Sequence, residues 1–291
     1  MNNRGEVLVA MVSARPGSEV NFLDDFLQNF ACWMQISHIP QYMMFAMDEA
    51  SYKAAKLLQM PVVRGDLLLR AWMHETGLAN LRMEKWGDYL RLKPAISLIL
   101  LQNSKRARAL IWSDLDVVWF REPWDYMAKT IGDMDALFST EVGGSANTGV
   151  YYVKNTDSAK AGLGEWVRMC IESLKLEDHG KHDQDLFNSG ILKRKWPKMK
   201  LIGHGVVQNG TPLRAQITTY RPGPEELALH CNMMWGTNTK VDKLKQVSLF
   251  LAPGVREKGG ENKDLASGKP RECLPLSKEV ADLLKAAKRV R

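Results

Sequence analysis

No apolar run in this 291-residue chain approaches the roughly 18 residues a membrane-spanning helix needs. The longest charge-free apolar stretch, 94–101, fits a buried helix end or strand instead. Cysteine is sparse: Cys32, Cys170, Cys231 and Cys273 lie far apart and form no CxxC pair. Neither a zinc knuckle nor a disulfide scaffold is therefore expected, and free thiols in a reducing compartment are the default. The apolar run within the first twelve residues is too short for a secretory leader, so a soluble, cytoplasmic chain is the expectation. Internal repeats and low-complexity tracts are also lacking, which argues against solenoid and disordered classes.

What is present is ordinary globular composition, 45% hydrophobic and 25% charged, in a chain long enough to bury a sizeable core. The formal net charge is +7, and the ten basic and six acidic residues from Arg256 onward place +4 of it in the last 36 positions. A solvated C-terminal helix over 277–289 accounts for this tail. No nucleic-acid motif accompanies it, nor the basic residues Lys105, Arg106 and Arg108, nor the run 193–200, so a nucleic-acid partner is not expected.

Hydrophobic periodicity alternates strand and helix. Strands are predicted over 6–12, 42–47 and 62–63, with helices over 21–36 and 49–58 between them. This βαβαβ rhythm predicts a mostly parallel central sheet covered on both faces. Helical pattern returns over 81–102, interrupted near Pro94, and one strand is predicted over 109–120. Later strands are expected at 136–139, 149–153 and 227–230, with helices over 159–174, 183–192 and 238–249. The organisation expected is one α/β domain over 1–253, followed by a basic loop and helix over 254–291.

Two carboxylates, Asp114 and Asp116, sit two residues apart at the end of the apolar run 109–120, where strand geometry would point both to one face. Asp-x-Asp alone is weak, since Asp133/Asp135 and Asp183/Asp185 repeat it. Its surroundings carry the argument. Ionised carboxylates within so apolar a segment cost several kcal/mol unless compensated, and the two repel each other. A divalent cation resolves both problems, and the carboxyl ends of strands are where open α/β sheets collect ligands.

At these residues the chain resembles the nucleotide-diphospho-sugar transferases of the GT-A fold, particularly the group containing plant rhamnogalacturonan xylosyltransferases and extensin arabinosyltransferases. Asp114-Leu115-Asp116 with the trailing Trp119 and Pro123 is similar to that group's metal motif. Asn147-Thr148-Gly149 resembles its next strand, and His182-Asp183-Gln184 through Asn188 its Asp-Gln-x-x-x-Asn segment. His230-Cys231-Asn232, followed by Gly236 and Lys240, resembles the terminal His-x-Asn, Gly, Lys motif. The four motifs occur in the family's order.

The resemblance implies a GT-A, Rossmann-like single domain acting as a metal-dependent glycosyltransferase. It implies a UDP-sugar donor, with a pentose such as xylose the first to try, and a glycan or glycoprotein acceptor. Asp114, Asp116 and His230 would hold the metal, Mn²⁺ with Mg²⁺ possible, because an imidazole tilts an oxygen site toward the softer ion. Lys240, Gly236 and Lys93 would bind the nucleotide diphosphate, and Val12, Ser13 and Ala14, at the end of the first strand, its base. Asn147, Asp183 and Gln184 would face the donor sugar, with Asp183 and Gln184 catalytic and transfer proceeding with retention. Gln184 suits positioning, and Asp183 is the more plausible carboxylate. Members of the group in the plant Golgi carry an N-terminal anchor that this chain does not show. A soluble enzyme like those of large algal viruses is therefore expected, with the Golgi lumen the alternative for a trimmed chain.

Two other readings remain at this point. The apolar strand followed by Asp-x-Asp-x-Val fits a haloacid-dehalogenase-like phosphohydrolase, but the downstream acidic pair that chemistry needs is missing. A non-catalytic sugar-nucleotide or glycan-binding module would keep the fold without turnover.

Overall fold

The structure, a computed structural model, describes residues 1–14, 23–81, 86–141, 143–178, 180–192, 198–214, 220–232, 234, 237–251 and 273. Its strands are β1 (Glu6–Val12), β2 (Tyr42–Ala46), β3 (Val62–Arg64), β4 (Ala109–Ser113), β5 (Val117–Trp119), β6 (Ala136–Thr140), β7 (Ala146–Lys154), β8 (Met199–Ile202), β9 (Val207–Gln208) and β10 (Ala228–His230). The helices are α1 (Gln28–Ile36), α2 (Glu49–Leu57), α3 (Gly65–Glu75), α4 (Trp86–Leu90), α5 (Lys93–Asn103), α6 (Trp124–Ile131), α7 (Asp157–Lys175), α8 (Asp183–Leu186), α9 (Thr211–Arg214) and α10 (Thr237–Gln246).

Seven strands form the central sheet in the order β3-β2-β1-β4-β7-β6-β8, and β5-β10-β9 form a second, smaller sheet. The β1–β2, β1–β4, β2–β3 and β6–β8 pairs are parallel, while β7 runs antiparallel to both β4 and β6. The expected α/β class with a mixed, mostly parallel sheet is what is found. All of β1 is buried because helices cover both faces. Leu8, Ala10 and Val12 enter the core shared with α1 and α2, and Val7, Val9 and Met11 the core shared with α5 and α7. Such a strand reads as a continuous apolar run, not as an alternation.

The run 109–120 is two strands in different sheets, not one. β4 ends at Ser113, Asp114 makes one more rung by donating its backbone N–H to Gly149 O (2.8 Å), and the chain then turns through Leu115 and Asp116 into β5. Both strands are buried, so the apolar pattern continues across the change of sheet. The two carboxylates consequently do not share a strand face; they project from the turn. The helical stretch predicted over 81–102 is likewise divided, with Pro94 in the first turn of α5, where its missing N–H is harmless. Helices α3, α6 and α9, and strands β8 and β9, were not among the predicted elements.

The free-thiol expectation is overturned for two cysteines. Cys32 on α1 and Cys273 form a disulfide, Cα–Cα 5.7 Å, across 241 residues of sequence. A spacing that long carries no pattern that could announce it. Cys170 and Cys231 are free and buried, and burial pushes both thiols up. The predicted loop 254–268 and helix 277–289 lie outside the described residues, as does Gly236. No described helix is long and apolar enough to cross a membrane.

Candidate active site

The strand order reverses beside β1: the chain steps outward through β2 and β3, then returns to β1's other edge as β4. Ligands of open α/β sheets gather at the carboxyl ends of strands at such a switch point. Asp114 lies there. The second sheet completes the cluster, because β10 pairs antiparallel with β5 and sets His230 opposite Val117, while Cys231 donates its N–H to Asp116 O (2.9 Å). One carboxylate or imidazole atom from each of Asp114, Asp116 and His230 lies within 4.8 Å of the others. His230 Nε2 stands 3.2 Å from Asp116 Oδ1.

Gly149 on β7 makes room for that imidazole. A Cβ there would lie 2.1 Å from His230 Cε1, so no larger residue fits while His230 keeps its place. Aromatic side chains support the cluster from beneath. Trp112 Nε1 donates to Asp114 Oδ1 (3.0 Å) while its ring stacks on Tyr151, and Trp166 Nε1 donates to the backbone carbonyl of Asp183 (3.1 Å).

Two lysines neutralise the carboxylates. Lys93 begins α5, a position the helix dipole disfavours for a cation, yet its buried ammonium lies 2.8 Å from Asp114 Oδ1 and 3.7 Å from Asp183 Oδ2. Lys240 on α10 pairs with Asp116 Oδ2. Burial opposes the charge on Lys93, but Asp114 and Asp183 outweigh it and raise its pKa above the ordinary lysine value. Lys240 is raised in the same way, burial being overcome by Asp116. Asp116 is held well below the usual carboxylate range, since Lys240 and His230 overcome the effect of its burial. Burial prevails at Asp183, whose carboxyl is pushed up despite Lys93 and Thr148.

Asp183 is the first residue of α8 and does not cap it. Asp185 does, accepting from His182 N (3.0 Å), so the Asp183 carboxylate is left to accept from Thr148 Oγ1 (2.7 Å) on β7. The loop leading into α8 is held by buried Arg91, whose Nε donates to Lys181 O (2.7 Å).

Eight of the twelve expected site residues, Lys93, Asp114, Asp116, Asn147, Asp183, Gln184, His230 and Lys240, line one cavity of about 390 Å³. Glu141, Thr148 and Asn232 join them there. Val12 ends the neighbouring β1 and Ser13 and Ala14 follow it, none of them lining that cavity. Val12 is wholly buried, while Ser13 Oγ and Ala14 N both donate to Asp48 Oδ2, at 3.0 and 2.7 Å. Asp48 also caps α2, accepting from Ser51 N (2.8 Å), and an Asp directly before a helical run was its signal in the sequence. Glu141 had no such signal, being an isolated acidic residue in a glycine-containing turn.

Two carboxylates and an imidazole so close together fit a divalent cation, the oxygen donors suiting Mg²⁺ or Mn²⁺ and the nitrogen favouring Mn²⁺. That two ammonium groups already approach the carboxylates shows how strongly the cluster calls for positive charge.

A family model of the nucleotide-diphospho-sugar transferases matches residues 37–244. An uncharacterised protein of Arabidopsis thaliana is 24% identical over an alignment of 207 positions that covers 66% of this chain and 58% of the relative, so the chain spans less than two thirds of that relative's length. Among solved structures, a glycosyltransferase involved in the glycosylation of the major capsid of PBCV-1 superposes with a TM-score of 0.51 at 10% identity, over 82% of this chain and 99% of that one. Mouse xyloside xylosyltransferase 1, in its apo form, gives a TM-score of 0.51 at 13% identity, over 78% of this chain and 98% of that one. Identities this low speak for the fold alone, which is the GT-A fold. The family match removes the phosphohydrolase alternative.

Proposed function

The chain belongs to the nucleotide-diphospho-sugar transferase family, and so to the glycosyltransferases; we propose that it transfers a sugar from a UDP-sugar to a hydroxyl of a glycan or glycoprotein, with a divalent metal and with retention of configuration. The observation that carries this reading is the convergence of Asp114, Asp116 and His230 on a cavity that also holds Lys93, Lys240, Asp183 and Gln184. Asp114, Asp116 and His230 would hold Mn²⁺, or Mg²⁺ in its place. The bound ion supplies Lewis-acid neutralisation of the departing diphosphate.

The chain's own groups do the rest. Lys240, beside Asp116, offers a point charge to a phosphate oxygen. Lys93 is buried and tied to Asp114 and Asp183, so we assign it to holding those carboxylates in place, not to the donor. Asp183 sets a negative charge where positive charge develops at the anomeric carbon, and Gln184 and Asn147 offer amides to sugar hydroxyls. A pentose donor such as UDP-xylose is the first to try, on family likeness. The Cys32–Cys273 disulfide supports an oxidising compartment in place of the reducing one expected from the cysteine spacing.

Without a divalent ion, UDP should bind poorly, because its diphosphate would meet the Asp114 and Asp116 carboxylates with only Lys93 and Lys240 to offset them and no cation to bridge the two. Calorimetric titration with Mn²⁺ should show affinity higher by about tenfold or more, one decade being about 1.4 kcal/mol. Equal affinity after chelation would overturn the assignment of the three ligands. UDP binding without any sugar turnover across a panel of UDP-sugars would instead point to the binding module. Retention is tested on the fresh product by proton NMR of the anomeric coupling. An inverted product would remove Asp183 from any nucleophile role and require a base on the acceptor side.

A further inference from the structure

Glu141 opens the connection between β6 and β7. Its N–H donates to Ser145 O (2.7 Å), and Gly143 and Gly144 complete the turn at φ +88° and +83°, a region that favours glycine. A register shift at Phe138/Ser139 interrupts the regular β6–β7 pairing just before it. Bulges of this kind re-aim side chains next to functional sites. Glu141 itself lies in the lining of the cavity.

Three amides from three different segments meet that carboxylate. Asn147 Nδ2, from β7, donates to Glu141 Oε2 at 2.6 Å; Asn232 Nδ2, following β10, donates to Oε2 at 2.9 Å and Oε1 at 3.2 Å; Gln184 Nε2, from α8, reaches Oε2 at 3.5 Å. The orientation of each amide is set independently at its other end. Gly149 N donates to Asn147 Oδ1 (2.8 Å), Thr148 N to Gln184 Oε1 (3.2 Å) and Gly210 N to Asn232 Oδ1 (2.8 Å). A backbone N–H only donates, so each amide oxygen faces its N–H and each NH₂ group faces Glu141. Position 141 must therefore accept from all three donors, which an ionised carboxylate does and no neutral side chain does as well. None of these hydrogen bonds uses an atom of Asp114, Asp116 or His230.

We propose that Glu141 is a positioning residue for the donor sugar: it gathers the amides of Asn147, Gln184 and Asn232 into one hydroxyl-binding surface beside Asp183. The inference rests on the glycosyltransfer reading above. Glu141 acts through the amides it holds, so its loss disorders the groups that grip the sugar and spares those that grip the diphosphate.

The test compares wild type with E141Q and E141A, first for UDP affinity with Mn²⁺ by calorimetry and then for turnover of the UDP-sugar that wild type uses. E141A should lower kcat by about 100-fold, the scale of a small misplacement at a reaction centre. Its UDP affinity should stay within about threefold of wild type. E141Q keeps one acceptor oxygen but turns an NH₂ toward donors, and should fall between the two. Wild-type kcat in both variants would overturn the proposal. A parallel loss of UDP affinity and kcat would overturn it as well, because that marks a collapsed site. Failure of wild type to turn over any UDP-sugar would overturn the glycosyltransfer reading itself, a result distinct from any difference among the variants.

Discussion

Replacing Lys93 by methionine should destabilise the fold by about 3–5 kcal/mol at neutral pH, the range seen when one partner of a buried ion pair is removed. Methionine matches the length and bulk of lysine but leaves two carboxylates without their shared cation. The Asp183 side chain is 4% exposed, so its charge is not recovered by water, whereas that of Asp114 is 26% exposed and fares better. The sign of the pH dependence follows from the directions of shift. The folded pKa of Lys93 is raised, so its contribution is fully present below the ordinary value of 10.5 and is lost only as pH rises through the folded value. The Asp183 carboxyl is also raised, and without Lys93 it rises further. A charge that buried destabilises the fold at high pH and is relieved by protonation as pH falls. The deficit of Lys93→Met should therefore be largest near neutrality and shrink in mild acid. Urea denaturation at two pH values reads this directly, and a loss below about 1 kcal/mol near pH 7 would show that the pairing is worth no more than a surface contact.

Asp183→Asn should lower turnover by about 100- to 1,000-fold, the scale for losing one preorganised group at a reaction centre. UDP affinity in Mn²⁺ should stay close to wild type. Asparagine keeps the shape and can still accept from Thr148 Oγ1, so the change is one of charge at a fixed place. An interaction made mainly in the transition state appears in kcat, whereas loss of UDP binding by a folded variant would move Asp183 to the nucleotide side. The acid limb gives a second reading. Burial raises the Asp183 carboxyl above the ordinary 3.8, so wild-type activity should fall with decreasing pH earlier than for a solvated carboxylate. Asparagine does not titrate, and the residual activity of the variant should lack that limb.

Local signals made much of this architecture readable. β1 was bounded at 6–12 because a strand buried on both faces is written as an unbroken apolar run. Helices α2 and α7 were located to within a few residues because each buries one face and exposes the other. Helix α3 escaped although Leu69 and Met73 are spaced for a helix, since it begins at Gly65 directly after β3 ends at Arg64, with no residue between them to mark the change. The disulfide escaped for a different reason: the approach of Cys32 and Cys273 is a property of the folded path, which spacing does not encode.

The chemical inventory and its order along the chain were legible from local residue patterns: the apolar run ending in Asp114 and Asp116, then the Asn147, Asp183-Gln184 and His230 segments. Residue type and neighbours decide those, and both are local. How the pieces meet depends on the folded path. The chain leaves one sheet for another at Asp114, so the carboxylates converge through a turn and not along a strand, and pairing of β5 with β10 brings in His230 from far along the sequence. Glu141 shows the same division most plainly. Nothing beside it in the sequence distinguishes it from any solvated glutamate, because the groups that give it a role arrive from three separate segments, and backbone N–H groups in the folded chain turn their amides toward it.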